Sequence, residues 1–272
     1  MIEVKNLTFS YPGQRELLFD GFSLRLEESK VYGLLGKNGT GKSTLLYLLS
    51  GLLRPRGGEV SVDGFTPHLR HAEMLREMFL VPEEYDLPSV PLSSYVRLTA
   101  PFYPRFSHDV LRACLDEFEM EGDPRLDSLS MGQKKKVYMS VAVASGTKLL
   151  LMDEPTNGLD IPSKSQFRKV VARQMGDGRI LVISTHQVHD VETLLDHVLI
   201  LNQRELLLDA GVDELTARYR FDLRMPGDMD GVLYAEPSLQ GNMAMAVRRP
   251  GEPETQLNLE LLFNAVTKGL IR

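Results

Sequence analysis

Val31-Tyr32-Gly33-Leu34-Leu35-Gly36-Lys37-Asn38-Gly39-Thr40-Gly41-Lys42-Ser43-Thr44 begins as an apolar run and ends in a glycine-rich turn with a lysine and two hydroxyls. From Gly36 to Ser43 it fits the spacing G-x-x-x-x-G-K-[ST]. The run before it suits a buried strand. The stretch after it, Lys42–Leu53, carries Leu45, Leu46, Leu48, Leu49 and Leu52 at helical spacing, with Gly51 near its end. Glycines let such a loop curl until successive N–H groups point inward, and the helix N-terminus adds roughly half a positive charge. A strand–loop–helix of this kind cradles phosphate. Gly36, Asn38, Gly39, Thr40, Gly41, Lys42, Ser43 and Thr44 are the expected nucleotide contacts. Lys42 would pair with the outer phosphates, and the Ser43 hydroxyl would ligate Mg2+.

Further short apolar runs, Phe79–Val81, Leu149–Met152, Ile180–Ile183 and Val198–Leu201, are continuous rather than alternating. That pattern suits strands buried on both faces, as in parallel sheets. Helical patterns at Ser163–Met175 and Val188–Leu195 lie between them, which predicts a doubly wound α/β core. Residues from about 84 to 128 break the rhythm with Pro88, Pro91, Pro101 and Pro104; they read as a helical insertion, with Ser107 capping a helix to about Met120. A second break begins near Ala217, where Gly, Pro and Met suggest a few short strands before an amphipathic Leu257–Val266 closed by Gly269.

The remaining chemistry is acidic. Leu149-Leu150-Leu151-Met152-Asp153-Glu154 is an apolar strand ending in two acids, at the end of a parallel strand where ligands bind. Asp153 suits a metal ion or its water. Glu154 stands next in line to polarise an attacking water as general base. Leu129-Ser130-Met131-Gly132-Gln133 precedes a helical pattern from Lys134 to Ala144, with Ser130 as N-cap. Lys134, Lys135 and Lys136 oppose the dipole of that helix, a placement that makes sense beside an anion and otherwise means three solvated lysines.

On these motifs the chain resembles the nucleotide-binding subunit of an ATP-binding cassette (ABC) transporter over about residues 1–215. The family's LSGGQ signature stands here as LSMGQ, departing at Met131 and keeping Gly132. The resemblance implies a P-loop NTPase core with a parallel sheet, an antiparallel N-terminal β part and a helical insertion at about 84–147. It sets a cassette at 1–216 and a small C-terminal extension at 217–272. It implies ATP and Mg2+ as ligands. Tyr11, in Phe9-Ser10-Tyr11-Pro12, resembles the aromatic that stacks on adenine. Asn157-Gly158-Leu159-Asp160 resembles the loop linking the two sites of a dimer. His186, after Ser184-Thr185, resembles the switch histidine at the γ-phosphate; the other histidines lack such context. Glu83, in Pro82-Glu83-Glu84, occupies the place of the family's glutamine, where a carboxylate could ligate Mg2+ and would add a third negative charge near Asp153 and Glu154.

In this family two cassettes sandwich two ATP molecules, so Ser130, Gly132 and Gln133 would complete a partner's site in a homodimer or heterodimer. The motion would pass to a membrane-embedded permease through the helical insertion and the loop around Glu83. Leu257–Phe263 and Phe102-Tyr103-Pro104 resemble drug- and antibiotic-type exporter subunits. Rival readings are a soluble ABC protein of repair or translation, a P-loop kinase or GTPase, and a cassette without catalysis. Repair types insert a long coiled coil and translation types carry two cassettes. A GTPase needs an Asn-Lys-x-Asp motif, which is not found, while a dead cassette need not keep Lys42, Asp153, Glu154 and His186.

The whole-chain properties agree with this reading. A net charge of −6 argues against a nucleic-acid binder. The one cysteine, Cys114, excludes an internal disulfide and fits a reducing cytosol. No run approaches the ~18 apolar residues of a membrane helix, and the N-terminus lacks a signal-peptide pattern. The expected place is therefore cytoplasmic, held at the inner face of the membrane through the permease.

Overall fold

A computed structural model describes all 272 residues except 177, 203, 204, 226 and 272. Strands β1 (Ile2–Phe9) and β2 (Phe19–Leu26) are followed by β3 (Lys30–Leu35), helix α1 (Lys42–Leu49) and β4 (Gly57–Val62). After α2 (Ala72–Leu75) and β5 (Met78–Val81) come α3 (Leu92–Thr99), α4 (His108–Glu117) and α5 (Met131–Ala144). The chain returns through β6 (Leu149–Asp153), α6 (Ile161–Gln174), β7 (Ile180–Thr185), β8 (His197–Asn202) and β9 (Glu205–Gly211). It closes with α7 (Val212–Arg218), β10 (Tyr219–Arg224), β11 (Val232–Ser238), β12 (Gly241–Val247) and α8 (Leu259–Thr267).

The central sheet runs β5-β6-β7-β3-β8-β9, parallel up to β8 and antiparallel at β9. The apolar runs read from the sequence form its middle, and β6 and β7 are buried at every position. An antiparallel sheet, β2-β1-β4, holds the N-terminal part. Its inward residues Ile2, Val4, Leu7, Phe19 and Leu26 share one core with Leu45, Leu46 and Leu49 of α1. The opposite face of the central sheet shares a second core with α4, α5 and α6. The loop after β3 and the acids at the end of β6 thus lie at the carboxyl ends of parallel strands on either side of β7.

Caps set the helix starts. Ser107 accepts from Val110 N at α4, and Ser130 and Gln133 form a reciprocal capping box at α5. The helix expected to reach Leu53 stops at Leu49, where Ser50 caps it and Gly51 turns to a φ of 73°. The expected helix at Val188–Leu195 is instead two 3-10 turns, Val188–Asp190 and Glu192–Leu194, interrupted at Val191 with a φ of −121°. Side chains draw this segment apart: Asp190 pairs with Lys164 of α6, while Glu192 accepts from the Leu259 backbone of α8.

The last segment forms the sheet β10-β12-β11. Tyr219, Phe221, Met245, Leu259 and Leu262 join the core of the α5 side. The boundary expected after residue 216 falls inside α7.

Candidate functional site

The loop after β3 closes around its own lysine. Lys42 Nζ donates to Gly36 O at 2.9 Å and to Lys37 O at 3.3 Å, and it lies 3.7 Å from Glu154 Oε1. Thr40 ties the bend by donating from N and Oγ1 to Lys37 O. Gly41 has a φ of 103°, and a Cβ there would sit 2.9 Å from Phe19 Cζ, so this position requires glycine. A cleft of about 380 Å3 opens above the loop, lined by Tyr11, Asn38, Gly39, Lys42, Ser43, Thr44, Glu83 and Glu154 among others. Tyr11 stands edge-on to Phe9 and hydrogen-bonds Thr44 Oγ1 through its hydroxyl at 2.8 Å. An aromatic wall is thereby anchored to the loop after β3.

The two acids are held differently. Asp153 is buried; Ser184 Oγ donates to its Oδ1, while its Oδ2 has no partner. Burial raises the Asp153 pKa, opposed by hydrogen bonds from Ser184 and Ser43 and reinforced by Glu83 and Glu154. Glu154 is also buried and has a φ of 45°, left-handed backbone that a non-glycine residue adopts at a cost of about 1–3 kcal/mol. Its Oε1 accepts from His186 N at 3.0 Å and lies 2.8 Å from His186 Nδ1, while Oε2 accepts from Thr185 Oγ1 at 3.0 Å. The strain aims the carboxylate back over the β7 end, between Lys42 and His186. Burial lowers the Lys42 pKa, opposed by Glu154 and Asp153.

Glu83 lines the cleft and accepts from Asn157 Nδ2 at 3.0 Å. The third carboxylate therefore stands in the acid cluster, tied to the loop after β6. Asp153 Oδ2 has no partner, Ser43 and Glu83 both act on the Asp153 carboxyl, and both supply hard oxygens to the cleft lining. This donor set fits Mg2+. Among the described residues no three His, Cys, Asp or Glu gather as a complete metal site. Mg2+ held here would take its remaining ligands from phosphate oxygens, as in phosphoryl-transfer sites.

Ser130, Gly132, Gln133 and Asp160 do not line this cleft. Ser130, Gln133 and Asp160 are exposed, Ser130 and Gln133 at the start of α5 and Asp160 as N-cap of α6, where it accepts from Ser163 N at 2.9 Å. Met131 and Ile161 beside them are 69% and 83% exposed, an apolar rim on a charged surface. Of the three lysines of α5, two turn inward rather than into water. Lys135 donates to Glu154 O and Asn157 O, and Lys136 to Phe118 O and Gln166 Oε1. Sequence reasoning missed Lys135, Asn157, Ser184 and Thr185 as supports. Ser184 and Thr185 could have been found by their place beside His186 at a strand end; nothing local to Lys135 distinguished it from its neighbours.

The ABC transporter family matches residues 19–157. A methionine import ATP-binding protein of Carboxydothermus hydrogenoformans is 30% identical over 232 residues, which is 79% of this chain and 67% of that one. A linearmycin resistance ATP-binding protein of Bacillus subtilis is 25% identical over 238 residues, 85% of this chain and 76% of that one. A solved structure described as the ATP-binding subunit of an ABC transporter superposes with a TM-score of 0.71 at 26% identity, covering 79% of this chain and 91% of that one. The chain belongs to the ABC transporter family, as one of its ATP-binding, ATP-hydrolysing subunits.

Proposed function

We propose that the chain drives an exporter by Mg2+-dependent ATP hydrolysis in a two-cassette sandwich, coupled to a separate permease. One observation carries the reading: Lys42 and Glu154 line one cleft together with Tyr11, and Glu154 stands between Lys42 at 3.7 Å and His186 at 2.8 Å. Tyr11 stacks the base, the loop amides and Lys42 hold the phosphates, and Ser43, Asp153 and Glu83 hold Mg2+, which when bound neutralises phosphate charge. Glu154 takes the proton of the attacking water, and His186 faces the γ-phosphate from the other side of Glu154.

Ser130, Gly132, Gln133 and Asp160, all outside the cleft and all exposed but the half-buried Gly132, serve a second cassette. ATP favours the closed dimer by binding across it, and hydrolysis removes that preference. The permease docks in a groove of about 540 Å3 lined by Leu52, Arg70, Arg76, Phe102, Tyr103 and Pro104, where Phe102 is 72% exposed. Residues 217–272 form an extension beside the cassette, 1–216. Among the described residues no helix is long and apolar enough to cross a membrane, so the inner-face location comes through the permease. Export is supported by the linearmycin resistance relative, which aligns over more of this chain than the methionine import relative does.

The test is capture of membrane partners with tagged Glu154→Gln protein and MgATP in detergent-solubilised membranes. Recovery of a multi-span protein, lost when Phe102 and Arg76 are replaced, supports the reading. Reconstitution of that pair should then give ATP-driven efflux. Recovery of soluble partners only, while the parent protein hydrolyses ATP, refutes it.

A further inference from the structure

Lys135 lies behind the acid rather than in front of it. It is 6% exposed, and its Nζ donates to Glu154 O at 3.2 Å and to Asn157 O at 2.7 Å. Those two carbonyls bracket the turn Glu154-Pro155-Thr156-Asn157, which is closed by Asn157 N donating to Glu154 O at 3.1 Å. Within it Glu154 takes its left-handed φ of 45°. The Asn157 side chain reaches on to Glu83. One ammonium thus ties α5 to the backbone of Glu154 and, through Asn157, to the acid across the cleft.

The placement is unfavourable twice over. A cation in the first turns of a helix opposes its dipole, and burial penalises the charged form, lowering the Lys135 pKa. Lys136, one residue on, also finds carbonyl and amide oxygens, but at Phe118 and Gln166, away from the cleft. Unfavourable local choices that a protein tolerates tend to sit where function requires them.

We infer that Lys135 is a positioning residue for hydrolysis, holding the Glu154 turn in the left-handed geometry that aims its carboxylate at the attacking water. The inference rests on the proposed role of Glu154. It adds that the helix carrying Ser130, Gly132 and Gln133 also sets the protomer's own acid, so docking of that helix on a partner is felt at Glu154. Lys135 touches neither nucleotide loop nor reacting atoms, so it governs turnover and leaves nucleotide affinity alone.

Two variants separate this from a lysine that merely supports the fold. Lys135→Met keeps length and removes all donors; Lys135→Gln keeps an N–H pair able to reach the carbonyls. Each is measured for ATP-binding stoichiometry and Kd, and for turnover per binding site. The methionine variant should bind ATP with a Kd within threefold of the parent while turnover falls about 10²-fold, the scale of a misplacement near 1 Å. The glutamine variant should recover turnover to within about tenfold of the parent. Methionine at parental turnover overturns the inference. So does parallel loss of binding sites and turnover, which a purely structural lysine would give, or a glutamine variant as slow as methionine. Lys135→Thr, whose hydroxyl is too short to reach either carbonyl, replaces methionine if that variant does not fold. Failure of the Glu154 role itself reads differently: Glu154→Gln would then turn over as fast as the parent.

Discussion

Gly132→Ala should make the isolated subunit more stable and nearly inactive. Gly132 is the second residue of α5, within ordinary helical geometry. A Cβ there would meet only Leu159 Cδ2 at 3.8 Å and Gly158 O at 4.0 Å, which is ordinary van der Waals contact. The chain's own fold therefore has no need of glycine at this position. Glycine in a helix interior costs about 0.5–1 kcal/mol relative to alanine through backbone entropy. A first-turn site gains the lower end, about 0.5 kcal/mol, or roughly 1–2 °C in Tm for a chain of this size. If a partner's γ-phosphate approaches the Gly132 backbone closely, the new methyl holds it off by about 1 Å, and turnover should fall about 10²-fold. Thermal melting of the nucleotide-free protein, ATP binding at dilute protein, and steady-state hydrolysis give the three readouts. The expected pattern is a raised Tm, an unchanged protomer Kd and lost turnover. Turnover within threefold of the parent would refute the close approach. A Tm lowered by several degrees would show that a Cβ does not fit as the geometry says.

Three further variants probe the cleft. Lys42→Met should abolish tight ATP binding yet raise the apo Tm by a degree or two. The depressed Lys42 pKa means the unfolded chain binds more protons between that pKa and 10.5, so stability rises with pH across this window. The stabilisation by methionine should then be full below that window and vanish above it in melts across pH; a constant difference refutes it. Glu154→Gln should stop turnover and tighten ATP binding. Lys42 and Glu154, 3.7 Å apart and both buried, attract by about 4 kcal/mol at an effective dielectric of 20, an attraction that ATP must replace. A Kd lowered about tenfold and a dimer on size exclusion with MgATP are expected; a monomer at saturation counts against the sandwich. Glu83→Gln removes one of three clustered acids and should raise the Mg2+ concentration for half-maximal hydrolysis severalfold; an unchanged Mg2+ titration excludes Glu83 from the metal's surroundings.

The parallel core was legible because each buried strand is a continuous apolar run, and the phosphate loop because glycine, lysine and hydroxyl spacing is dictated by phosphate itself. Asp153 and Glu154 were legible by their place at a strand end. What escaped the sequence depends on contacts far apart in the chain. Val188–Leu195 has helical spacing, yet Asp190 and Glu192 find partners on α6 and α8 that no local pattern announces. Lys135 and Lys136 are the same residue type in the same turn, and only the fold sends one to Glu154 and the other to Phe118. Propensity favours solvent for both, and tertiary hydrogen bonding overrides it.

The supports of Glu154 explain why its strain persists. A left-handed glutamate would relax if only one contact held it, since each hydrogen bond contributes about 1 kcal/mol. Here the Glu154 N–H is taken by Ser184 O, its carbonyl by Asn157 N and Lys135, and its carboxylate by Thr185 and His186. These partners come from β7, from the turn after β6 and from α5. Three separate parts of the fold therefore bear on one residue. A change in the seating of α5 or of the His186 loop therefore alters the aim of the Glu154 carboxylate, because no single contact holds that left-handed backbone by itself.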